Sequence, residues 1–515
     1  MRADRHGVYI RYSDASHDPW NERSQVRAPD CESGVLGIKK KGRRRIVTWV
    51  IVIFHLVGFI SSIDAVMSTR TAQGAVAWAV SLNAFPYLAV PAYWVLGRSK
   101  FEGYVTARQE GDQEIGRFAK LADENTLHLR STRSEDVSAS RTSENLAKIP
   151  YLRGNEIELL VDGEATFGSI FEGIAKAEKY ILVQFFIVKD DELGRELKSA
   201  VLERARAGVR VYVLYDEMGS NTLPKSYLNE IREAGVEILD FHTRKGPGNR
   251  FQINFRNHRK IVVVDGKTAW IGGHNVGDEY MGRDPEFGHW RDTHVKITGP
   301  SVMSVQLSFL EDWYWASEKT PEFHWDPHIV TDQGADVLIY PTGPADRLEN
   351  ATLMFLTGIN AAQERLWIAS PYFVPDESIM NALHLAALRG VDVRILIPDK
   401  ADHLLVYLAA FSYFEEAAGT GIRFFRYMDG FLHQKVVLID DELAAVGTAN
   451  FDNRSFRLNF EVMAVVANPA FAAEVEQMFL ADFEKSVEMN PGDYENRSFW
   501  FKLAVRLARL TAPIQ

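Results

Sequence analysis

One short stretch occurs twice in this chain at matched spacing, and few folds can accommodate it. His258, Lys260, Asp265, Gly272 and Asn275 have counterparts His433, Lys435, Asp440, Gly447 and Asn450 at identical offsets, in NHRKIVVVDGKTAWIGGHN and LHQKVVLIDDELAAVGTAN. The sequence upstream repeats as well. FEGIAKAEKYILVQFFIV leads into LGRELKSAVLERARAGVRVYVLYD in the first half, and LTGINAAQERLWIASPYFV into IMNALHLAALRGVDVRILIPD in the second. The runs YILVQFFIV and LWIASPYFV are branched and aromatic, as buried strands require, and the helices between stop at Ala-Gly or Arg-Gly. Helix, strand, helix, strand in that order gives parallel strands. The expected fold class is α/β: two duplicated mixed-sheet halves forming a pseudo-twofold active site.

The repeated residues carry a definite chemistry. Side chains two apart on a strand share a face, so each half offers an imidazole beside a cation, a pairing suited to phosphate. Asn275 and Asn450, on the returning strand, can donate an amide hydrogen bond to a phosphoryl oxygen. Two histidines across one phosphodiester can divide the work: one attacks phosphorus while the other protonates the leaving alkoxide. A phosphohistidine intermediate follows. Asp265 and Asp440 lie an odd number of positions from their histidines, and Asp265-Gly266 is a turn signal, so both point to a turn-stabilising or supporting role. For the carboxylates that orient the imidazoles, Glu461 in NFEVMAV is assigned to His433, and Asp292 in WRDTHVKI to His258. His274, His289 and His294 read as scattered, with no metal-ligand spacing, and no phosphate-cradling glycine motif is present. No metal and no cofactor are expected.

The N-terminal part has a different character. Residues 1–38 are polar and aperiodic, a disordered tail holding Cys31, the only cysteine, so no intrachain disulfide can form. The basic run Lys39–Arg45 leads into IVTWVIVIFHLVGFISSIDAV, and a second apolar run follows at Ala75–Leu96; together they give a two-span anchor over 39–104. Pro86 and Pro91 make the second segment kinked or partly re-entrant. The loop between carries only Arg70, whereas Arg98 and Lys100 flank the far side, so both ends face the cytoplasm. A polar juxtamembrane linker is expected over 105–149, a first half over 150–330, a second over 331–490 and an amphipathic helix over 491–515. On that last helix Trp500, Leu503, Leu507 and Leu510 share a face, with Arg497, Lys502, Arg506 and Arg509 able to reach lipid phosphates; packing on the core is the alternative. A formal net charge of -11 disfavours nucleic acid as partner.

The duplicated His-x-Lys-(x)4-Asp element resembles the signature of the phospholipase D superfamily. SPYFVPD at Ser370–Asp376, HWRDTHVKITGP at His289–Pro300 and GTANFDNRSFRLNFE at Gly447–Glu461 are similar to its bacterial cardiolipin synthase branch. The resemblance implies a phospholipase D-like fold in each half, and His258, Lys260, Asp265, His433, Lys435 and Asp440 as the catalytic set. It implies His258 as nucleophile, and transfer of a phosphatidyl group from one phosphatidylglycerol to another with release of glycerol. A multi-pass protein of the bacterial inner membrane with cytoplasmic catalytic halves is the matching location. Many superfamily members carry serine where Gly273 and Thr448 stand here. Hydrolysis by the same site, and a non-catalytic membrane scaffold, are the alternatives.

Overall fold

The computed structural model describes residues 33–69, 71–97, 102–242, 254–331, 334–400, 403–417, 419–490 and 492–512. The tail to residue 32 with Cys31, and the flanking Arg70, Arg98 and Lys100, lie outside them. Helix α1 (Ser33–Ser68) takes in the basic run, so the chain is helical from Ser33 and not only from residue 39. Within it Arg44–Ser68, 25 residues, is the one helix among the described residues long and apolar enough to cross a membrane. The second apolar run is broken at Phe85 into α2 (Ala72–Ala84) and α3 (Pro86–Ala92). Pro86 supplies no N–H and restricts the residue before it. Their 13 and 7 residues each fall short of the roughly 20 a straight span needs. Both pieces fold back on α1, where the Tyr93 hydroxyl donates to Asp64 at 2.7 Å.

The stretch expected as a linker is largely helical, as α4 (Glu102–Thr126), α5 (Arg133–Asp136) and α6 (Ser138–Ala147). It is packed on the catalytic body: Phe118 stacks on Trp325 at 5.5 Å, and the Tyr104 hydroxyl donates to Asp312 at 3.1 Å.

Beyond it the chain builds a mixed sheet. The first set of strands is β1 (Leu152–Val161), β2 (Tyr180–Phe185), β3 (Arg210–Asp216), β4 (Glu237–Phe241), β5 (Arg256–Asn257), β6 (Ile261–Val264), β7 (Thr268–Gly272), β8 (Trp290–Arg291) and β9 (Thr293–Thr298). The second is β10 (Ala335–Thr342), β11 (Arg365–Ala369), β12 (Phe373–Val374), β13 (Asp392–Pro398), β14 (Arg423–Tyr427), β15 (Phe431–Leu432), β16 (Val436–Ile439), β17 (Leu443–Gly447), β18 (Phe451–Asp452), β19 (Asn459–Ala467) and β20 (Ser486–Glu488). The main path runs β20-β14-β13-β11-β16-β17-β19-β10-β1-β9-β7-β6-β2-β3-β4. Apart from β20, this order reads alike from either edge to the antiparallel pair β1·β10. At one end β2, β3 and β4 are parallel, at the other β11, β13 and β14, as the repeated helix–strand order requires.

The helices that cover the first set are α7 (Asp162–Ala175), α8 (Glu192–Arg206), α9 (Lys225–Glu233) and α10 (Val302–Ser317). Those of the second are α11 (Asn350–Ala361), α12 (Glu377–Leu388), α13 (Leu404–Ala417), α14 (Asn453–Arg457) and α15 (Pro469–Glu484), followed by α16 (Gly492–Glu495) and α17 (Phe499–Arg509). One side of α17 packs on α13 through Phe501 and Phe411, and Arg506 and Arg509 pair with Glu415 and Glu416. Trp500, Leu507 and Leu510 stay exposed; the packed face matches the alternative reading, and two of the arginines expected to reach lipid phosphates are engaged by glutamates of α13.

Candidate active site

Two very short parallel pairings position the histidines. β5 lies beside the start of β19, Asn257 opposite Phe460, and the His258 N–H donates to the Phe460 carbonyl at 2.9 Å. β15 lies beside β8, Leu432 opposite Arg291, and the His433 N–H donates to the Arg291 carbonyl at 2.8 Å. Each histidine is thereby carried into the opposite half. The orienting carboxylates are consequently exchanged relative to the sequence assignment. His258 Nδ1 sits 2.9 and 3.0 Å from the Glu461 oxygens, and His433 Nδ1 is 2.7 Å from Asp292 Oδ2. An ionised carboxylate can only accept, so each Nδ1 carries the proton and each Nε2 keeps its lone pair for chemistry.

The strand register makes Asp292 and Glu461 equivalent, since Gly272 lies opposite His294 and Gly447 opposite Met463. Both glycines are required by close approach. A Cβ at 272 would lie 2.4 Å from the Thr293 carbonyl oxygen, and one at 447 would lie 2.3 Å from that of Val462. Side-chain length explains the departures at 273 and 448. A Cβ on Gly273 would fall 2.0 Å from Asp292 Oδ1. In the other half the longer Glu461 leaves room for Thr448, whose hydroxyl donates to it at 2.6 Å. Ser455 and Asn459 add further donors to Glu461 at 2.7 and 3.1 Å, and Asp292 accepts the Thr293 N–H at 2.8 Å.

Burial dominates the electrostatics. It pushes His258 down to about 4 despite Glu461, and holds His433 well below the ordinary imidazole value, with Lys435 and Lys260 acting in the same direction. Burial works to raise the Glu461 carboxyl, but the charge and hydrogen bond of His258, with Lys260, outweigh it and keep the group below the usual carboxylate value. Both imidazoles are therefore held neutral, that of His258 against an ionised Glu461. Lys260 and Lys435 are fully buried, each donating to the carbonyl of its own motif histidine, Lys260 at 2.6 Å.

Asn275 and Asn450 lie three residues beyond β7 and β17, in the loops and not on the strands. Asn275 donates to Tyr280 at 3.1 Å and accepts the Ile187 N–H at 3.1 Å, whereas Asn450 Oδ1 is buried without a partner.

Asp265 and Asp440, placed in the catalytic set by the resemblance, stand at the far ends of β6 and β16. Both adopt the left-handed conformation, φ 53° and 50°. Asp265 accepts the backbone N–H groups of Glu178, Lys179 and Tyr180 at 2.7 to 2.9 Å; Asp440 accepts those of Gln363, Glu364 and Arg365. They fasten the hairpin turn to the entry of the neighbouring strand. Asp265→Ala is expected to cost about 2–4 kcal/mol of stability, because it leaves three backbone donors unmet, one buried and two partly buried. Activity per folded molecule should persist, as a melting curve paired with an active-fraction assay would register.

Sequence reading overlooked a pair of buried carboxylates on the helices that follow β9 and β19. Asp312 of α10 accepts from Arg259, Asn257 and Gln184 at 2.7 to 2.9 Å. Asp482 of α15 accepts from Arg291 and Gln434 at 2.7 to 2.8 Å. They hold the residues that flank each histidine. A signal was present, FLEDW against FLADF, an aspartate at the same place in each repeated helix. His274 and His294, read as scattered, are paired, Nδ1 to Nδ1 at 3.0 Å in full burial. Among the described residues no group of three or more His, Cys, Asp or Glu is gathered in metal-binding fashion.

A family profile described as "Cardiolipin synthase, PLD-like domain" matches residues 170–304 and 355–483. The chain is 48% identical to a cardiolipin synthase A of Pseudomonas fluorescens over 474 residues, 91% of this chain and 98% of that one. It is 49% identical to one of Pseudomonas aeruginosa, covering 89% of this chain and 94% of the relative. The crystal structure of a phosphatidylserine synthase from Haemophilus influenzae shares the fold, with a TM-score of 0.56 and 17% identity over 74% of this chain and all of that one.

Proposed function

The chain belongs to the phospholipase D-like cardiolipin synthase family, enzymes that transfer phosphatidyl groups, and we propose on that premise that it joins two phosphatidylglycerol molecules into cardiolipin with release of glycerol. In the first half-reaction Nε2 of His258 bonds to the donor phosphorus as the bond to the glycerol oxygen breaks, and His433, which takes a proton onto Nε2 as the anionic phosphate binds, gives that proton to the glycerol oxygen. In the second, the hydroxyl of another phosphatidylglycerol bonds to phosphorus, the N–P bond breaks, and His433 takes the hydroxyl proton. Lys260, Lys435 and the amides of Asn275 and Asn450 neutralise the phosphoryl oxygens.

The observation that carries this reading is the matched pair of buried imidazoles, each held through Nδ1 by a carboxylate of the opposite half. Two equivalent acid–base groups are what a double displacement needs, and one alone would serve only half of it. Two duplicated halves evolved from one are the simplest origin of such a site. α1 supports attachment to a membrane, where the lipid resides; its basic N-terminal run assigns that end to the cytoplasm, and in this reading α2 and α3, folded back on α1, return the chain to the same side and leave the catalytic halves cytoplasmic.

Purified protein in phosphatidylglycerol bilayers is expected to form cardiolipin and glycerol in equal amounts, as lipid chromatography with a glycerol assay would show. Phosphatidic acid as the sole lipid product would make the enzyme a hydrolase instead.

A further inference from the structure

The duplication breaks at one point in the core. Trp270 of β7 pairs with Val262 of β6, and its counterpart on β17 is Ala445, which pairs with Val437 of β16. In the first half the buried indole lies against Gly173 of α7, where a Cβ would fall 2.2 Å from the ring, and its Nε1 donates to Ser169 Oγ at 3.0 Å. Gly173 stands seven residues before Tyr180, whose carbonyl accepts the Asp265 N–H. Gly358 of α11 stands seven before Arg365, whose carbonyl accepts the Asp440 N–H. The second half thus has the glycine that admits an indole, and no indole.

Space is left where the ring would be. A cavity of about 450 Å³ lies between α11 and the sheet, lined by Phe355, Gly358, Ile368, Val437, Ala445 and Val465, with Ser140 of α6 on its outer side. None of the motif histidines, lysines or asparagines borders it. Protein interiors rarely leave a void larger than a water molecule, and an apolar cavity of roughly 150 Å³ already takes up benzene while staying dry. The mouth narrows the choice of ligand. Glu364, Asp441 and Glu442 stand there with Arg133, which pairs with Glu442 at 3.0 Å, while Asp441 pairs with Arg365. The acidic excess repels an anionic headgroup. Arg133 Nε is buried with no partner, a donor suited to an ester or hydroxyl oxygen.

We infer that this cavity binds the hydrocarbon chain of an uncharged acylglycerol, with its glycerol oxygens at Arg133. The chain takes the place that Trp270 fills in the other half, and the apolar lining loses its contact with water. Attachment to a membrane through α1 brings such molecules to the protein at high local concentration. The site is separate from the phosphate-binding groups and lies wholly in the half that supplies His433, so its occupant is a ligand and not a substrate. Because it fits only the folded second half, it also raises the melting temperature as its concentration rises.

The test uses full-length protein in phosphatidylglycerol vesicles and a monoacylglycerol whose chain ends in a photoreactive diazirine. Irradiation is expected to label the peptides of α11 and of the β16·β17 hairpin saturably. Ala445→Trp, which restores the ring of the other half, should lower that label at least tenfold. Ala445→Leu fills less of the space and covers the case of a tryptophan the fold rejects; it should lower the label while the melting transition stays cooperative. Label that is absent from these peptides, or that neither variant reduces, overturns the site. A fatty acid carrying the same diazirine should label them at least tenfold less, and equal labelling overturns the assignment to an uncharged lipid.

Discussion

Replacement of His258 by alanine is expected to lower cardiolipin formation by at least about 10³-fold, and His433→Ala by a similar factor. Each imidazole serves both half-reactions, one as carrier of the phosphatidyl group and the other as acid and then base, so neither loss is bypassed by a second substrate molecule. The fold should withstand either change. Without His258, Glu461 keeps Thr448, Ser455 and Asn459 as donors, and without His433, Asp292 keeps the Thr293 N–H. An acid quench of the wild-type enzyme turning over phosphate-labelled lipid would lose a phosphohistidine, so the trap must be alkaline. Label on the peptide containing His258 supports the assigned roles, and label on that of His433 reverses them. No label on either, together with inversion at phosphorus, would replace the covalent route by direct displacement.

Much of this site could be read from spacing. Identical offsets found both histidines, both lysines and both asparagines, and the repeated order of helices and strands gave a sheet that reads alike from each edge. The odd interval from His258 to Asp265 was enough to turn the motif aspartates toward the hairpin. Exchange of the orienting carboxylates was not legible, because it depends on β5·β19 and β15·β8, pairings of two residues each. Segments so short have no periodicity to detect, and only the docking of the halves creates them. The His274–His294 pair was hidden for another reason: Ala449 and Met463 occupy the matched positions, so duplication offered no cue. Pro86 could be read as a kink, but how far it shortens the second apolar helix is a matter of where the chain turns back on α1.

That exchange has a kinetic consequence, and Glu461→Gln is expected to reveal it. A carboxamide is nearly the same size but can present its N–H to Nδ1 and favour the wrong tautomer, a change that costs roughly 10⁴-fold in an analogous triad. Asp292→Asn should cost on the same scale, yet the two defects fall on different steps. Glu461 holds His258, so its loss weakens the nucleophile; Asp292 holds His433, so its loss weakens the proton donor. A donor lipid with p-nitrophenol in place of glycerol separates them, since that leaving group departs with little protonation. Asp292→Asn should then recover a stoichiometric burst of nitrophenol and stall before transfer, where the base is needed. Glu461→Gln should show no burst. Carboxylates acting within their own halves would give the opposite pattern, so one burst experiment decides between crossed and uncrossed support of the histidines.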